Sequence, residues 1–341
     1  MGLLSFFNKE LAMDLGTANS IVIYNDKVVI DEPSIVAYNK NTNKIEAVGK
    51  RAQLMDGKTD NKNIETVRPL KGGVIADFEM AQHLIRELIK MTNISRSFMP
   101  PALRMVICIP SGITNVEERA VRESAEQAGA KEIRMIHEPM AAAIGIGIDV
   151  LEPNGNMIVD IGGGTAEIAV ISLGGIVCNK SIKVAGDEFN ENVIEYMRKQ
   201  HNIVIGVRTA EKVKIAVGSA ISELETPPDD FETPGRDLLT GLPKTIYVNY
   251  KEIAHALDKS IARIESAILE TLADTPPELA ADIYKNGIHL AGGGSLLRGL
   301  DQRIKSKTKL NVHIAEDPLR AVARGTGIAL KNFNKFSFLI K

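Results

Sequence analysis

The chain has 341 residues, 44% of them hydrophobic and 25% charged. That is too long for one ordinary core, fits two globular domains, and excludes a disordered, collagen-like or disulfide-built chain. With 41 basic residues against 43 acidic ones and a net charge of -2, it lacks the basic excess of a nucleic-acid binder, so no nucleic acid is expected as a partner.

In chain order, residues 1–7, with Leu3, Leu4, Phe6 and Phe7, form an apolar start. They suit either a short amphipathic membrane anchor or a segment packed on the first domain. Apolar residues 11–15 and 21–24 flank Gly16-Thr17-Ala18-Asn19, which reads as a β-hairpin. Residues 39–63 are rich in Lys, Asn and Asp and read as a surface loop. Leu84, Ile85, Leu88 and Ile89 give helical spacing over residues 81–91. Phe98-Met99-Pro100-Pro101 suits either a membrane-insertion loop or a buried turn. A buried strand is expected over residues 105–110, a helix ending at a glycine over 115–129, and a strand over 133–136. The last of these leads into His137-Glu138-Pro139 and an Ala-rich helix. A second hairpin covers residues 157–171, a turn region rich in Pro, Asp, Gly and Thr covers 226–243, and a long helix covers 253–272. Residues 288–291 read as a strand that runs into Gly292-Gly293-Gly294-Ser295 and a new helix. The tail carries Phe333, Phe336, Phe338 and Leu339, and its setting is left open. No apolar run reaches the ~18 residues of a membrane span. Cys108 and Cys178 have no partner at metal spacing and read as two buried thiols in a reducing cytosol.

The two hairpins echo each other. Met13-Asp14-Leu15-Gly16-Thr17 and Val159-Asp160-Ile161-Gly162-Gly163-Gly164-Thr165 both run from an apolar strand through an Asp into a Gly-rich turn, the aspartates lying 146 positions apart. The economical explanation is a duplicated domain. Each glycine turn can expose backbone N–H groups to phosphate, and each Asp can hold a hydrated Mg2+. Glycines between a strand and a helix at 292–294 let a ligand approach the backbone near a positive helix end. Other readings stand beside these. Glu138 before Pro139 suits a helix start. Glu211 and Lys214, three apart on a helix, suit a solvated ion pair. His137 reads as a packing or hydrogen-bonding residue, and Asp77 either lies near Mg2+ or caps the following helix.

Those segments, with Arg68-Pro69-Leu70-Lys71-Gly72-Gly73-Val74-Ile75-Ala76-Asp77, His137 to Gly145, Gly292 to Leu300 and Ala315-Glu316-Asp317-Pro318-Leu319, resemble the MreB branch of the actin/Hsp70/sugar-kinase superfamily. The resemblance runs from about residue 11 to about residue 330. It implies an α/β actin-like ATPase fold, with two duplicated RNase H-like domains around a nucleotide cleft. Domain I would take residues 1–146 and 314–341 with a small subdomain at 33–67; domain II would take 147–313 with one at 183–249. It implies that Asp14 and Asp160 hold Mg2+, mostly through water. Gly16, Thr17, Ala18 and Asn19 would form the first phosphate loop, and Gly162, Gly163, Gly164 and Thr165 the second. Glu138 would position the attacking water, with Asp160 and Thr165 completing the catalytic set. Glu211 and Lys214 would contact ribose and adenine, and Gly292, Gly293, Gly294, Ser295 and Leu296 would form the adenosine loop. Ala166 stands where the family often has a second threonine, which puts one hydroxyl contact near the phosphates in doubt.

The implied function is a cytoskeletal ATPase that binds ATP or ADP, hydrolyses ATP slowly and forms actin-like filaments with copies of itself. It would lie in the cytoplasm on the inner membrane face, on anionic lipid, with the cell-shape or wall-elongation machinery as partner. ATP over GTP is implied by the family alone. A metabolic kinase would need an acceptor pocket and base that no further segment suggests. A chaperone-type ATPase would carry a long C-terminal substrate-binding region.

Overall fold

A computed structural model describes residues 9–59, 63–92 and 103–340. The expectations for residues 1–7 and 98–101 fall outside this set. The chain builds the same five-stranded sheet twice. In the first, strands Lys27–Pro33, Asn19–Tyr24 and Lys9–Leu15 are antiparallel neighbours, and Leu103–Ile109 and Ala130–His137 follow parallel to Lys9–Leu15. In the second, Gly175–Ile182, Ala166–Ser172 and Asn156–Ile161 are antiparallel, and Ile288–Ala291 and Val312–Ile314 complete the parallel side. Asp14 and Asp160 are each the next-to-last residue of the central strand. The sequence echo is therefore a duplication of topology, and the expected pair of RNase H-like domains is present. The parallel strands are covered on both faces, which is why Leu103–Ile109 and Asn156–Ile161 read as apolar runs without alternation.

Two helices, Glu138–Gly145 and Ala321–Lys331, lie between the sheets. They share one core with Ala12, Ile21 and Val106 of the first sheet and Ile158, Ile171 and Ala291 of the second. Glycine lets them touch. A Cβ on Gly145 would stand 1.8 Å from Ala321 O, and one on Gly325 would stand 1.8 Å from Ala141 O.

Two expected loops are structured. Residues 39–63 contain strand Lys44–Val48 and helix Lys50–Met55, in a small sheet with Val36–Asn39 and Ile64–Val67. Polar residues hid this unit because Ala47 and Ala52 are its buried anchors. Residues 226–243 contain strand Phe231–Asp237, which pairs with Pro243–Val248. Pro234 argued against a strand. It is tolerated because the third strand, Ile203–Val204, pairs only with Arg236 and Asp237, leaving an edge at Pro234. The tail packs down: Phe333, Phe336 and Leu339 are buried, and Ile340 bridges Met135 at the first sheet's edge. Arg104 and Arg134 stack on the Phe333 ring at 4.8 and 4.1 Å. Of the two thiols expected to be buried, Cys108 is, whereas Cys178, on the sheet-edge strand Gly175–Ile182, is half-buried. Among the described residues, no helix is long and apolar enough to cross a membrane.

Candidate active site

The central strands of both sheets end at one cleft, so their glycine turns face each other. A Cβ on Gly163 would meet the Ala18 Cβ at 2.6 Å, and one on Gly164 would meet Thr17 Oγ1 at 2.7 Å. Only glycine fits where the two loops pass. The first loop is buttressed from behind, where Ser34 Oγ donates to Gly16 O at 2.6 Å and meets Ser20 Oγ at 2.9 Å. The second is closed by Gly162 N–H to Thr165 O at 2.9 Å.

A cavity of about 700 Å³ runs between the halves, a volume suited to a nucleotide-sized ligand. Asp14, Gly16, Thr17, Ala18 and Asn19 line it from one side, and Asp160, Gly162, Gly163, Gly164 and Thr165 from the other. Glu138 sits on its floor, and Glu211, Lys214, Gly292, Gly293, Gly294 and Leu296 line the far end. Ser295 does not line the cavity. It is buried behind the turn, where its hydroxyl donates to Gly292 O at 2.7 Å and holds the 3-10 helix Gly293–Leu296.

Three carboxyls crowd the cleft floor. Burial pushes Asp14 up to about 7. Burial, then the charges of Asp14 and Glu167, push Asp160 up to about 8. Burial, then Asp160, Glu167 and Asp14, hold Glu138 well above the usual carboxylate range. Asp14 and Glu138 keep partial exposure to the cleft while protein surrounds them, so restricted hydration raises the cost of charge. Asp160 Oδ1 is buried without a hydrogen-bond partner. A Cβ at Gly292 would come within 2.5 Å of that oxygen, and Gly292 has φ +75°. Among the described residues, no cation compensates these three carboxyls, and Asp160 Oδ1 has no partner at all. This fits a hydrated Mg2+ held by two carboxylates and a bound phosphate tail. Among the described residues, no three His, Cys, Asp or Glu side chains converge to hold a metal by themselves.

At the far end, Lys214 and Glu211 are more than a solvated pair. Glu211 Oε2 accepts from Lys214 Nζ at 2.8 Å and from Asn190 Nδ2 at 2.7 Å, while Lys214 Nζ also donates to Gly186 O at 3.1 Å. Ile215, Leu296 and Leu319 are 66, 54 and 56% exposed and make an apolar wall there. The roles of Ile215 and Leu319 were missed, because an apolar residue meant for a ligand reads in sequence like one meant for the core.

A strap ties the two loops together. Leu70–Lys71 pairs with Val74–Ile75 around Gly72 and Gly73, whose φ values are +56° and +78°. Gly73 N–H donates to Thr17 Oγ1 at 3.0 Å, and a Cβ on Gly73 would meet Thr165 Cγ2 at 2.9 Å, so the turn touches both phosphate-type loops. Arg68 reaches Asp187 of the other half at 3.8 Å. Asp187 also lines the cavity and was not foreseen; its only signal was its place at the start of helix Gly186–His201. Asp77 caps helix Phe78–Met91 through Met80 N–H at 3.0 Å and does not line the cavity. His137 Nδ1 meets Pro110 O at 3.3 Å, the hydrogen-bonding role expected of it. Glu167, fully buried, joins the halves by accepting from Ser111 of the first and Ser181 of the second.

Residues 8–338 match the MreB/Mbl protein family. The chain is 45% identical over 330 residues to the cell shape-determining protein Mbl of Bacillus subtilis, covering 96% of this chain and 98% of that protein. It is also 45% identical over 330 residues to the cell shape-determining protein MreB of Escherichia coli, covering 95% and 94%. The crystal structure of MreB 5 of Spiroplasma citri bound to AMPPNP superposes with a TM-score of 0.89 at 40% identity, covering 96% of this chain and 97% of that one. A MamK double helical filament subunit, 24% identical with a TM-score of 0.79, shares the fold. A duplicated sheet, a cleft floored by acids and likeness along nearly the whole chain agree, and the chain belongs to the MreB/Mbl family with its actin-like ATPase fold.

Proposed function

We propose that this protein is a cytoskeletal ATPase that binds ATP in the cleft, hydrolyses it slowly and polymerises on the inner membrane face to organise cell shape and wall synthesis. The observation that carries this reading is the meeting of two Asp-Gly turns across one cavity above uncompensated carboxyls. Support comes from the relatives named for cell shape and from the similar Spiroplasma citri protein bound to an ATP analogue. The domain division at residues 146 and 313 and the small subdomains at 33–67 and 183–249 belong to the same reading.

Backbone N–H groups of Gly16 to Asn19 and Gly162 to Thr165 cradle the phosphates. Asp14 and Asp160 hold Mg2+, whose charge neutralises the phosphate tail when bound. Glu138 accepts a hydrogen bond from a water and aims it at the terminal phosphorus. Its poorly hydrated carboxylate is a stronger proton acceptor than a solvated glutamate. Thr165 offers a hydroxyl on the opposite side. Glu211 and Lys214 orient the ribose, and the apolar wall takes the base. Residues 1–7 or 98–101 supply the membrane contact.

The test is pelleting and electron microscopy with Mg-ATP, Mg-ADP or no nucleotide, with and without anionic liposomes, beside Glu138→Ala assayed for phosphate release. Nucleotide-dependent filaments enriched on liposomes, with phosphate release at least ~100-fold slower in the variant, are expected. A protein that consumes ATP yet stays monomeric under every condition would sink the filament reading.

A further inference from the structure

Among the described residues Glu167 is the only acid with no exposure at all, and the chemistry above gives it no task. It lies on strand Ala166–Ser172 of the second half, two positions beyond Thr165 and across from Asp160 on the neighbouring strand. It does not line the cavity. No ion pair compensates it among the described residues. Burying a carboxylate without a cation is costly unless hydrogen bonds satisfy it. Here they do. Oε1 accepts from Ser181 Oγ at 2.5 Å, and Oε2 accepts from Ser111 Oγ and, at 3.3 Å, from Ser111 N–H.

The two serines come from different places. Ser181 is the register partner of Glu167 on strand Gly175–Ile182, so its bond stays within the second sheet. Ser111 belongs to the first half, in the turn that follows strand Leu103–Ile109. That turn has other contacts. A Cβ on Gly112 would stand 3.1 Å from the Ser181 Cβ, so the two halves pass closely there. Pro110 O meets His137 Nδ1 at 3.3 Å, and His137 immediately precedes helix Glu138–Gly145. Pro110 also lies against the strap: a Cβ on Gly73 would stand 3.3 Å from Pro110 Cγ and 2.9 Å from Thr165 Cγ2. One short turn therefore touches the residue before Glu138, the strand after Thr165, and the strap between the phosphate-type loops.

We infer that Glu167 is a positioning residue for hydrolysis: by holding the Ser111 turn of the first half, it sets Glu138 in register with Thr165 and the terminal phosphate. This rests on the ATPase reading and assigns the contact that aligns its site. Glu138 and Thr165 belong to different halves, so their spacing follows the angle between the halves. The Ser111 bond to Glu167 fixes that angle beside both of them. Because its acceptor is a carboxylate, the bond is of the stronger, charge-assisted kind. A misplacement of about 1 Å can slow such a step by ~100-fold, so the loss of one well-placed contact is read in the rate.

The test uses the full chain with Mg-ATP and compares Ser111→Ala, Ser181→Ala and Glu167→Gln with wild type. Phosphate release is followed in single turnover at saturating ATP, beside ATP affinity by titration and thermal melting. Each serine variant removes one hydroxyl bond to the same carboxylate, so a purely structural role predicts equal effects. Positioning predicts that Ser111→Ala releases phosphate at least ~10-fold more slowly with ATP affinity unchanged, the mark of an interaction that serves the transition state. Ser181→Ala should stay close to the wild-type rate. Glu167→Gln should behave as Ser111→Ala does, and combining the two should slow the reaction no further, because both remove one contact. The serine pair decides the matter even if Glu167→Gln fails to fold. Ser111→Ala at the wild-type rate, a deficit that more ATP restores, or two serine variants slowed alike overturns the inference and leaves the ATPase reading standing. Wild type that releases no phosphate overturns both.

Discussion

Replacing Gly325 by alanine sets two effects of known size against each other. In a helix interior the change by itself stabilises by about 1 kcal/mol. Here the new Cβ would stand 1.8 Å from Ala141 O, 2.6 Å from its carbonyl carbon and 2.9 Å from Gly145 N. An ordinary carbon-to-oxygen approach is about 3.3 Å, so the helices must part by roughly 1.5 Å. All three neighbours are backbone, so no side-chain rotation relieves the clash. Overpacking costs about 1–3 kcal/mol, more when backbone must shift, and this contact joins the cores of both sheets. We expect a net loss of about 3 kcal/mol, read from the urea midpoint. Because the helices lie between the sheets, parting them also displaces Asp14 from Asp160 and weakens ATP binding, read by titration. Gly206→Ala is the control: nothing lies within 4 Å of its Cβ, and because Gly206 caps helix Val207–Val217 the change should cost no more than about 1 kcal/mol. A Gly325→Ala protein as stable as wild type, with unchanged ATP affinity, refutes the close-approach argument.

Without nucleotide, stability should fall as pH rises from 6 to 8. Burial pushes Asp14 up to about 7 and Asp160 up to about 8 from an ordinary value of 3.8, so the folded state holds protons that the unfolded state has released. That stabilisation is complete below the unfolded value and is lost as pH passes through the folded ones. Read from melting temperatures, the gap between Asp160→Asn and wild type, with the variant higher, should open as pH rises from about 4, widen up to about 8 and then level off; parallel curves would remove the basis for this expectation. Binding of Mg-ATP over the same range should release protons, measured by calorimetry in two buffers of different ionisation enthalpy. Arg68→Ala should cost less than about 1 kcal/mol, because its 3.8 Å pair with Asp187 is more than a third exposed. It should still speed ADP release, since the pair links the first half to Asp187, which lines the cavity from the second; an unchanged release rate in stopped flow would show that release does not depend on the pair.

The phosphate-type loops were legible because their chemistry is local. An Asp at a strand end followed by glycines is a short-range pattern, and its recurrence 146 residues later revealed the duplication. The glycine cluster at 292–294 was legible for the same reason, although Ser295 proved to brace the turn from behind. The small sheets were not legible from composition or periodicity, although the resemblance implied small subdomains at 33–67 and 183–249. Their strands are short, one carries Pro234, and their pairing is decided by partners distant in sequence.

By itself, then, the sequence determined the two Asp-Gly hairpins, the order of the main strands and helices, and the residues able to meet a phosphate. Tertiary structure alone decided that the hairpins face each other closely enough for Gly163 to touch Ala18, and that three acids share a floor without a cation. It also decided that Arg68 meets Asp187 and that Ser111 reaches Glu167. Hydrophobic spacing and turn chemistry act over a few residues. A carboxyl's hydration and an arginine's partner depend on segments that arrive from more than a hundred positions away.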